Sequence, residues 1–292
     1  MYSPIHSPNY QNSNALIRYE GGNPIEKSLK SHMASHLLDR PVTIRTTIID
    51  HSGVDILKEL GSSRRILILS DLDLTLIKPK SLYGGGPLYD WIQNRTIERF
   101  DLGKQEAITK TDALTKLLAD KGAVVPVQKR TPALLKDLQE KGIVVLGCTA
   151  RQPGFAHNTL KDVGSVGIQL GKNGDVPHGL LLDGDEEHPK AQYLDGIVFA
   201  GSHLDKGKIT QRILGKTGLS FDRIVLIDDQ RQNLKPMAEA CERMSVPFIG
   251  IRYGAADDLA EGLTDEMALE ALKPVLRDDE VMRAQYQYLV EE

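Results

Sequence analysis

The sequence predicts an α/β fold built on a doubly wound parallel sheet. Five short and almost wholly apolar runs have the composition of strands that are buried on both faces, as in a parallel sheet. Helix-like segments follow most of these runs, and strands that alternate with helices indicate βαβ units. In chain order the five predicted strands are Arg65–Ser70, Ile143–Gly147, Ile197–Ala200, Arg223–Ile227 and Pro247–Tyr253.

The predicted helices have suitable residues at their ends. Thr131 and Pro132 open the helix that precedes the second strand, and Gly142 ends it. Proline is tolerated in the first turn of a helix, and glycine is favoured just beyond its end. Pro274 is expected to separate the last two helices, because proline removes a helical hydrogen bond. Four further helices are predicted, over residues 206–214, 234–244, 265–272 and 279–289.

The chain before the first buried strand is predicted to contain an arm and the start of the core. Residues 1–40 are rich in Ser, Asn and Pro and show no sustained apolar period, so we predict a poorly ordered N-terminal arm. A β-branched strand over residues 42–49 and a short helix over 53–60 follow. The core is predicted to comprise residues 41–75 and 131–292.

Two insertions interrupt the alternation of strands and helices. Residues 76–130 show helical apolar spacing and are predicted to form a small, mainly helical cap. The only tryptophan, Trp91, is expected to pack within this cap rather than to stack on a substrate. The glycines at 84–86 lack the lysine of a phosphate-binding loop and are interpreted as a hinge. A second, short insertion spans residues 152–196.

Composition excludes several classes of protein. The 292 residues carry 36 Lys and Arg against 40 Asp and Glu, with 40% hydrophobic and 26% charged residues, as is typical of soluble globular proteins. No apolar run approaches the roughly 20 residues that span a bilayer, so no transmembrane segment is expected. A net charge of −4 argues against nucleic acid as a partner.

Cysteine content and the N-terminal sequence favour a cytoplasmic protein. Cys148 and Cys241 are too few for a disulfide framework and are predicted to be free thiols. The N-terminal residues lack a basic start followed by an apolar segment, so no secretory signal is predicted. Export by a leaderless route would look the same in the sequence.

The strongest chemical signal is a pair of carboxylates at the end of the first buried strand. Asp71 and Asp73 follow Arg65–Ser70, and ligands of doubly wound sheets bind just outside the carboxyl ends of the strands. Two like charges there are costly without a counter-ion, so a divalent cation is the expected partner. An acidic loop that only caps the next segment is the simpler alternative.

Other polar residues follow the later strands in the same way. Thr149 comes just after the second strand, and Lys206 stands where a helix begins after the third. Asp228 and Asp229 follow the fourth. Each has an ordinary structural interpretation alone, such as a helix cap. Their shared position at successive strand ends predicts a single site.

Asp71-x-Asp73-x-Thr75, Thr149, Lys206 and Asp228-Asp229 resemble, in order, the four motifs of the haloacid dehalogenase (HAD) superfamily. The motifs lie within residues 65–233, which is over half of the chain. Gly196–Phe199, Lys206-Gly207 and Asn233-Leu234 add a resemblance to an uncharacterised bacterial branch of HAD-like phosphatases. The resemblance implies a Rossmann-like HAD fold with a cap, and a phosphatase that acts through an aspartyl-phosphate.

The resemblance also implies the catalytic roles. Asp71 would be the nucleophile, and Asp73 would be the general acid and then the general base. Thr149 would hydrogen-bond a phosphoryl oxygen, and Lys206 would offset the charge of the phosphate and the nucleophile. Lys208 could supply this cation instead. An aspartate at the second position of the first motif, here Asp73, is typical of the phosphatases and phosphotransferases of the superfamily. It therefore disfavours dehalogenation.

A magnesium ion is the implied cofactor. Asp71, the Asp73 backbone carbonyl and Asp229 would hold Mg²⁺, while Asp228 supports or shares that task. The ion would stabilise charge on the transferring phosphoryl group. Which of Asp228 and Asp229 binds it directly is open at this point.

Four further residues are candidates for substrate binding, namely Thr75, Arg151, Lys208 and Asn233. Arg151 could contact phosphate or lie at the surface, and Asn233 could orient a carboxylate or be an ordinary helix residue. His178, His188 and His203, with acidic neighbours, match no ligand motif and are interpreted as part of a solvated loop rather than a second metal site.

The predicted partner is a phosphorylated substrate, either a small molecule or a phosphoprotein, because a modest cap would leave the site relatively open. Phosphoryl transfer to an acceptor other than water would use the same residues. A HAD-like module that only binds ligands is the third hypothesis, and the intact set of acids and Lys206 argues against it. The sequence leaves the substrate and the oligomeric state open.

Overall fold

The computed structural model describes residues 65–81, 86–174, 176–182, 191–201, 205–261 and 263–291, and the backbone of two earlier strands. The strands are β1 (Leu16–Ile17), β2 (Thr46–His51), β3 (Ile66–Ser70), β4 (Ile77–Pro79), β5 (Val124–Pro126), β6 (Val144–Thr149), β7 (Leu181–Leu182), β8 (Ala191–Leu194), β9 (Ile197–Phe199), β10 (Arg223–Asp228) and β11 (Phe248–Tyr253). The helices are α1 (Gly86–Phe100), α2 (Lys104–Lys121), α3 (Thr131–Glu140), α4 (Ala156–Ser165), α5 (Lys206–Thr217), α6 (Leu234–Arg243), α7 (Asp257–Glu261), α8 (Asp265–Asp278) and α9 (Glu280–Tyr286).

Nine of the strands form one sheet in the order β1-β2-β11-β10-β3-β6-β9-β8-β7. Neighbours from β1 to β9 are parallel, whereas β8 and β7 are antiparallel and make one edge. The predicted α/β class with a doubly wound, mostly parallel sheet is therefore confirmed. The chain runs outward from β3 to β6 and β9, and then returns to β10 on the other side of β3. Ligands of such sheets bind at this switch point.

The central strands are apolar on both faces because helices cover both. Ile66 and Ile68 of β3 pack with Leu135 of α3 on one face. Leu67 and Leu69, whose side chains point the opposite way, pack with residues of α5 and α6 on the other. All five residues of β3 are buried. This explains why these strands appear in the sequence as continuous apolar runs rather than as alternating ones.

The inserted helices stand on a short ribbon. Strands β4 and β5 pair with each other in antiparallel fashion at the two ends of the insertion. Between them, α1 and α2 bury Leu88, Ile92, Leu114 and Leu118. The helical nature of the cap insertion thus follows the sequence prediction.

The cap helices share their apolar core with the C-terminal helices. Ala268, Leu272 and Leu276 of α8 and Tyr286 of α9 are buried in the same cluster as the apolar residues of α1 and α2. The Trp91 indole nitrogen donates a hydrogen bond to Asp265 at 2.8 Å. The domain boundaries stay predictions, and these contacts add that residues 263–291 pack against the cap.

The prediction that Pro274 separates two helices was wrong. Helix α8 continues through Pro274 to Asp278. Proline in a helix interior costs about 3 kcal/mol, but Val275 and Leu276 beyond it are buried in the shared core. Burial of two such side chains contributes a similar amount, so packing can keep the helix continuous.

Several expectations lie outside the described residues. They are the N-terminal arm apart from Leu16–Ile17, which form β1 and pair with β2, the start of the 42–49 strand, the 53–60 helix, most of the glycine hinge, and two of the three histidines considered above. Within the described part, Cys148 and Cys241 are free and buried, as predicted. No helix in that part has the length and apolar character to cross a bilayer.

Candidate active site

A tight turn after β3 presents the two aspartates. The Asp71 backbone N–H donates to the Ile227 carbonyl at 2.8 Å, which carries the pairing of β3 with β10 one residue beyond the strand. The N–H groups of Leu76 and Ile77 both donate to the Leu72 carbonyl. Leu74 accordingly adopts a left-handed φ of 59°. The turn leaves the Asp71 side chain only 11% exposed, whereas the Asp73 side chain is 32% exposed.

Lys206 is placed by the start of α5. The Asp205 side chain caps this helix by accepting hydrogen bonds from the backbone N–H groups of Gly207 and Lys208. The Lys206 Nζ then lies 2.6 Å from Asp71 Oδ1 and 2.6 Å from Asp228 Oδ2. Lys206 is 5% exposed. A buried ammonium group thus bridges two carboxylates that belong to adjacent strands.

Gly207 lets α5 approach α6 closely enough for this bridge. A Cβ atom at this position would lie 2.5 Å from the Pro236 carbonyl oxygen and 2.8 Å from the Ala240 Cβ. Both distances are too short for any side chain larger than hydrogen. The glycine after Lys206 therefore serves helix packing.

Burial and charge oppose each other at this bridge. Burial raises the pKa of Asp71, Lys206 lowers it in part, and the neighbouring aspartates raise it further. Burial lowers the pKa of Lys206, but Asp71 and Asp228 outweigh this effect and raise the Lys206 pKa overall. Lys206 is therefore held as a cation, and it is the group that keeps Asp71 and Asp228 compatible with burial.

Asp228 and Asp229 have different surroundings. Asp228 is fully buried and accepts hydrogen bonds from Lys206, from the Asn233 side-chain amide and from the Gln230 backbone N–H. Asp229 lines the open side of the site. Burial, followed by the charge of Asp228, raises the Asp229 pKa to about 6 even though a hydrogen bond from Gln230 lowers it.

The backbone of Asp229 is held from two sides. Its N–H donates to Thr75 Oγ1 at 3.2 Å, and its carbonyl accepts from Arg252 Nε at 3.0 Å. Arg252 also forms an ion pair with Asp257. Arg252 was not singled out in the sequence, because its link to the site exists only through the pairing of β10 with β11.

Thr149 and Arg151 complete the site from β6. Thr149 is 1% exposed, and its hydroxyl oxygen accepts a hydrogen bond from the Arg151 backbone N–H at 3.1 Å. The Arg151 guanidinium pairs with Asp73 through two nitrogens, at 2.9 and 2.7 Å. Its side chain is 12% exposed, so it does not lie on the surface.

A cavity of about 420 Å³ lies between these residues and the cap. Its floor includes Asp71, Asp73, Thr149 and Lys206. The cap contributes residues of both inserted helices, namely Tyr89, Asp90, Gln93, Lys104, Ile108, Asp112 and Thr115 among others. The volume falls within the roughly 300–1,000 Å³ of small-molecule sites.

The sequence-predicted residues divide into two groups. Those in the cavity wall are Asp71, Asp73, Thr149, Arg151, Lys206, Asp229 and Asn233. Lys208, Thr75 and Asp228 are not among the lining residues. Thr75 and Asp228 instead support the groups that are, and their predicted binding roles stay predictions.

Tyr89 lines the cavity, although no motif in the sequence marks it as a site residue. Its hydroxyl oxygen is buried and has no hydrogen-bond partner among the described residues. Burial raises its pKa although Arg151 lowers it. Only the fold brings α1 of the cap against the strand ends, so no local motif could have indicated this residue.

The described residues contain no group of three His, Cys, Asp or Glu side chains arranged to hold a metal. They do contain a smaller oxygen set. Asp71 and Asp229 both line the cavity, and of the two Asp71 carboxylate oxygens only Oδ1 is bonded to Lys206. Mg²⁺ commonly takes one or two protein carboxylates and completes its shell with water and substrate phosphate. This donor set therefore fits Mg²⁺ in the presence of a phosphate.

Comparison with known proteins gives a family without an assigned activity. A model of the family described as "Protein of unknown function (DUF2608)" matches residues 46–290. Two curated relatives are described as "Putative outer membrane protein". The one from Chlamydia muridarum is 22% identical over 147 residues, 50% of this chain and 53% of the relative. The one from Chlamydia pneumoniae is 23% identical over 172 residues, 59% of this chain and 57% of the relative. The chain spans about half the length of these relatives.

A solved structure of phosphoserine phosphatase, a phospho-aspartyl intermediate analogue, is also similar to this chain. It is 15% identical, with a TM-score of 0.36, over 69% of this chain and 100% of the other. At this TM-score the two folds correspond only loosely.

Proposed function

The chain belongs to the DUF2608 family, and we propose that it is a Mg²⁺-dependent phosphohydrolase that cleaves a phosphate monoester through an aspartyl-phosphate. The observation that carries the proposal is the buried Asp71–Lys206–Asp228 bridge beneath a cavity. A buried ion pair is a weak source of stability. The Asp71 carboxylate of this ion pair also lines the cavity. An ion pair that adds little stability and borders a cavity favours a chemical role over a structural one. The four-motif resemblance to the HAD superfamily supports the same conclusion.

Asp71 is the nucleophile in this proposal. Lys206 holds Oδ1 and so restricts rotation of the carboxylate that attacks phosphorus. The bond from Asp71 to phosphorus forms as the bond to the leaving oxygen breaks. Lys206 then remains beside the new acyl phosphate and offsets the charge on it.

Asp73 moves the protons, and Thr149 binds the phosphoryl group. Asp73 gives a proton to the leaving oxygen in the first step and takes one from water in the second. That water attacks phosphorus, and the bond to Asp71 breaks to release phosphate. The buried Thr149 hydroxyl at the end of β6 donates to a phosphoryl oxygen.

Asp71 and Asp229 are the carboxylates that would hold Mg²⁺, together with the Asp73 backbone carbonyl. Mg²⁺ supplies positive charge that offsets the charge of the phosphoryl group. Asp228 is assigned a supporting role, because Lys206, Asn233 and the Gln230 N–H already take its oxygens. Lys206 rather than Lys208 is the cation of the site.

Hydrolysis of p-nitrophenyl phosphate tests the proposal. The rates of the wild-type protein and of Asp71→Asn are measured with and without Mg²⁺. We expect the variant to lose at least about 10³-fold in kcat/KM. Asp137→Asn, an exposed aspartate of α3, is the matched control and should retain full activity. Phosphate release measured with and without glycerol separates hydrolysis from transfer.

Two results would contradict the proposal. Activity that survives Asp71→Asn would remove the assigned nucleophile. A wild-type protein that is folded, and yet hydrolyses no phosphate ester in a screen of sugar, nucleotide, lipid and peptide phosphates, would favour a binding module.

A further inference from the structure

We propose that Arg151 is a positioning residue that holds the Asp73 carboxylate for proton transfer, and that α4 holds Arg151 in turn. The inference rests on the proposed function, because it concerns the group that moves protons there. It assigns Arg151 a role other than direct contact with phosphate.

The first observation is the geometry of the Arg151–Asp73 pair. Nε lies 2.9 Å from Oδ2 and an NH2 nitrogen lies 2.7 Å from Oδ1. Two parallel hydrogen bonds fix both the direction and the plane of a carboxylate, as a single bond cannot. The Asp73 side chain is one-third exposed and stands at the start of a turn, so it would otherwise be free to change rotamer.

The second observation is that the remaining guanidinium nitrogen is also engaged. It lies 3.1 Å from Thr159 Oγ1 and 3.4 Å from Asp162 Oδ2, and both residues belong to α4. The Thr159 hydroxyl itself donates to the Phe155 carbonyl. Thr159 and Asp162 are 0% and 9% exposed. The chain of contacts therefore runs from a buried helix face, through Arg151, to Asp73.

These contacts decide between two roles for Arg151. Four of the five N–H groups of the guanidinium already donate to Asp73 or to the buried acceptors of α4, so bidentate binding of phosphate would break at least one of these bonds. Leaving Asp162 buried without its partner is costly. Arg151 therefore acts through Asp73, and its effect should appear in the step that needs a proton.

Leaving-group dependence tests this role. Nitrophenolate departs without a proton, whereas an alkoxide requires one, so misplacement of Asp73 should harm alkyl esters more. For Arg151→Met we expect kcat/KM, which reports phosphoryl transfer to Asp71, to fall by about 10²-fold on β-glycerophosphate. On p-nitrophenyl phosphate kcat/KM should fall less than about 10-fold. Hydrolysis of the aspartyl-phosphate also needs Asp73, so kcat is expected to fall on both substrates.

A double-mutant comparison separates positioning from a general loss of structure. If Arg151 acts through Asp73, adding Arg151→Met to Asp73→Asn should change kcat by less than about twofold. Arg277→Met, an exposed arginine on α8, is the matched control and should leave kcat and KM unchanged. Should Arg151→Met fail to fold, Asp162→Asn keeps a hydrogen-bonding side chain and is expected to show the same substrate dependence at a smaller amplitude.

The outcomes overturn the inference in distinct ways. A tenfold rise in KM at constant kcat would make Arg151 a substrate-binding residue. An equal loss of kcat/KM on both substrates, or an additive loss in the double variant, would make its role structural. A wild-type protein without phosphatase activity would overturn the proposed function itself, and the inference with it. An active wild type with an unaffected Arg151→Met would overturn the inference alone.

Discussion

Leucines of the sheet and of the cap are equally buried, but only those of the sheet pack against partners that the alternation of strands and helices predicts. Leu69 of β3 is 1% exposed and packs with strands and helices that carry their own sequence signals. Leu272 of α8 is 0% exposed and packs with helices α1 and α2, which precede most of the sheet in the chain. The sheet holds the charged residues of the proposed chemistry, whereas the cap closes the cavity above them. The two regions should therefore respond differently to substitution.

The largest effect is expected in the sheet, from Lys206→Met. This change leaves Asp71 and Asp228 buried without their shared cation, and removal of one partner from a buried ion pair costs about 3–5 kcal/mol. Urea unfolding measures the loss. Lys235→Met, an exposed lysine on α6, should change stability by less than about 1 kcal/mol. Equal stability of both variants would refute the proposed balance of charges.

Leu272→Ala tests whether the cap and the sheet unfold together. Removal of a buried leucine costs about 2–5 kcal/mol, and here the cost should fall on the cap and α8. Trp91 is the only tryptophan and lies in this region, so its fluorescence reports the cap while far-UV circular dichroism reports the whole fold. We expect the fluorescence transition to precede the dichroism transition in this variant.

Leu69→Ala is the matched change in the sheet. It should lower both transitions together, because the cap depends on the ribbon that follows β3. Coincident transitions in Leu272→Ala would show instead that the cap and the sheet are one cooperative unit.

Gly207→Ala should cost about 1–3 kcal/mol through overpacking of α5 against α6. Gly215 lies in the same helix, and a Cβ there meets nothing within 4 Å. Gly215→Ala is therefore the control, and it is expected to stabilise by about 0.5–1 kcal/mol. Thermal unfolding of both variants measures the difference. If Gly215→Ala also destabilises the protein, the loss in Gly207→Ala cannot be assigned to overpacking.

A smaller effect concerns pH and Mg²⁺. The folded pKa of Asp229 is about 6, above its ordinary 3.8, so its ionised form is disfavoured in the fold. Without Mg²⁺, the free energy of unfolding should fall as pH rises from about 4 through about 6, because the folded state binds this proton more tightly than the unfolded state does. Because the cation and the proton compete for this carboxylate, Mg²⁺ should raise Tm little at pH 4.5 and more at pH 7. Calorimetry with Asp229→Asn as the control measures this, and a Tm shift that is independent of pH would contradict it.

The smallest effect is expected at the link between the cap and α8. Asp265→Ala removes the acceptor of the Trp91 indole N–H and should cost about 1 kcal/mol or less. Faster hydrogen exchange in α1 and α8, with unchanged exchange in β3 and β10, is the expected signature. Uniform exchange in the variant and the wild type would show that the apolar contacts alone hold the cap.

Local signals account for what could be predicted from the sequence. β3, β6, β9, β10 and β11 lie within two residues of their predicted bounds, because each is an apolar run buried on both faces. Asp71, Thr149 and Lys206 could be grouped because parallel strands bring their carboxyl ends to one edge. Asp71 and Thr149 lie at the ends of β3 and β6, and Lys206 begins the helix that follows β9, so no long-range information was needed.

Other features depend on contacts that no local pattern encodes. The course of α8 through Pro274 depends on a core shared with remote helices. The pairing of Arg151 with Asp73, and the presence of Tyr89 in the cavity, depend on how β6 and α1 meet the turn after β3. The different surroundings of Asp228 and Asp229 likewise follow from which side chain faces Lys206.

The shared core of the cap and the C-terminal helices has a consequence for synthesis on the ribosome. Helices α1 and α2 emerge early, but their apolar faces acquire their partner only after α8 has been made. The strands that carry Thr149, Lys206 and Asp228 are translated in between. The sheet and its charged residues can therefore assemble before the roof of the cavity does, and an incomplete chain would expose the apolar side of its cap.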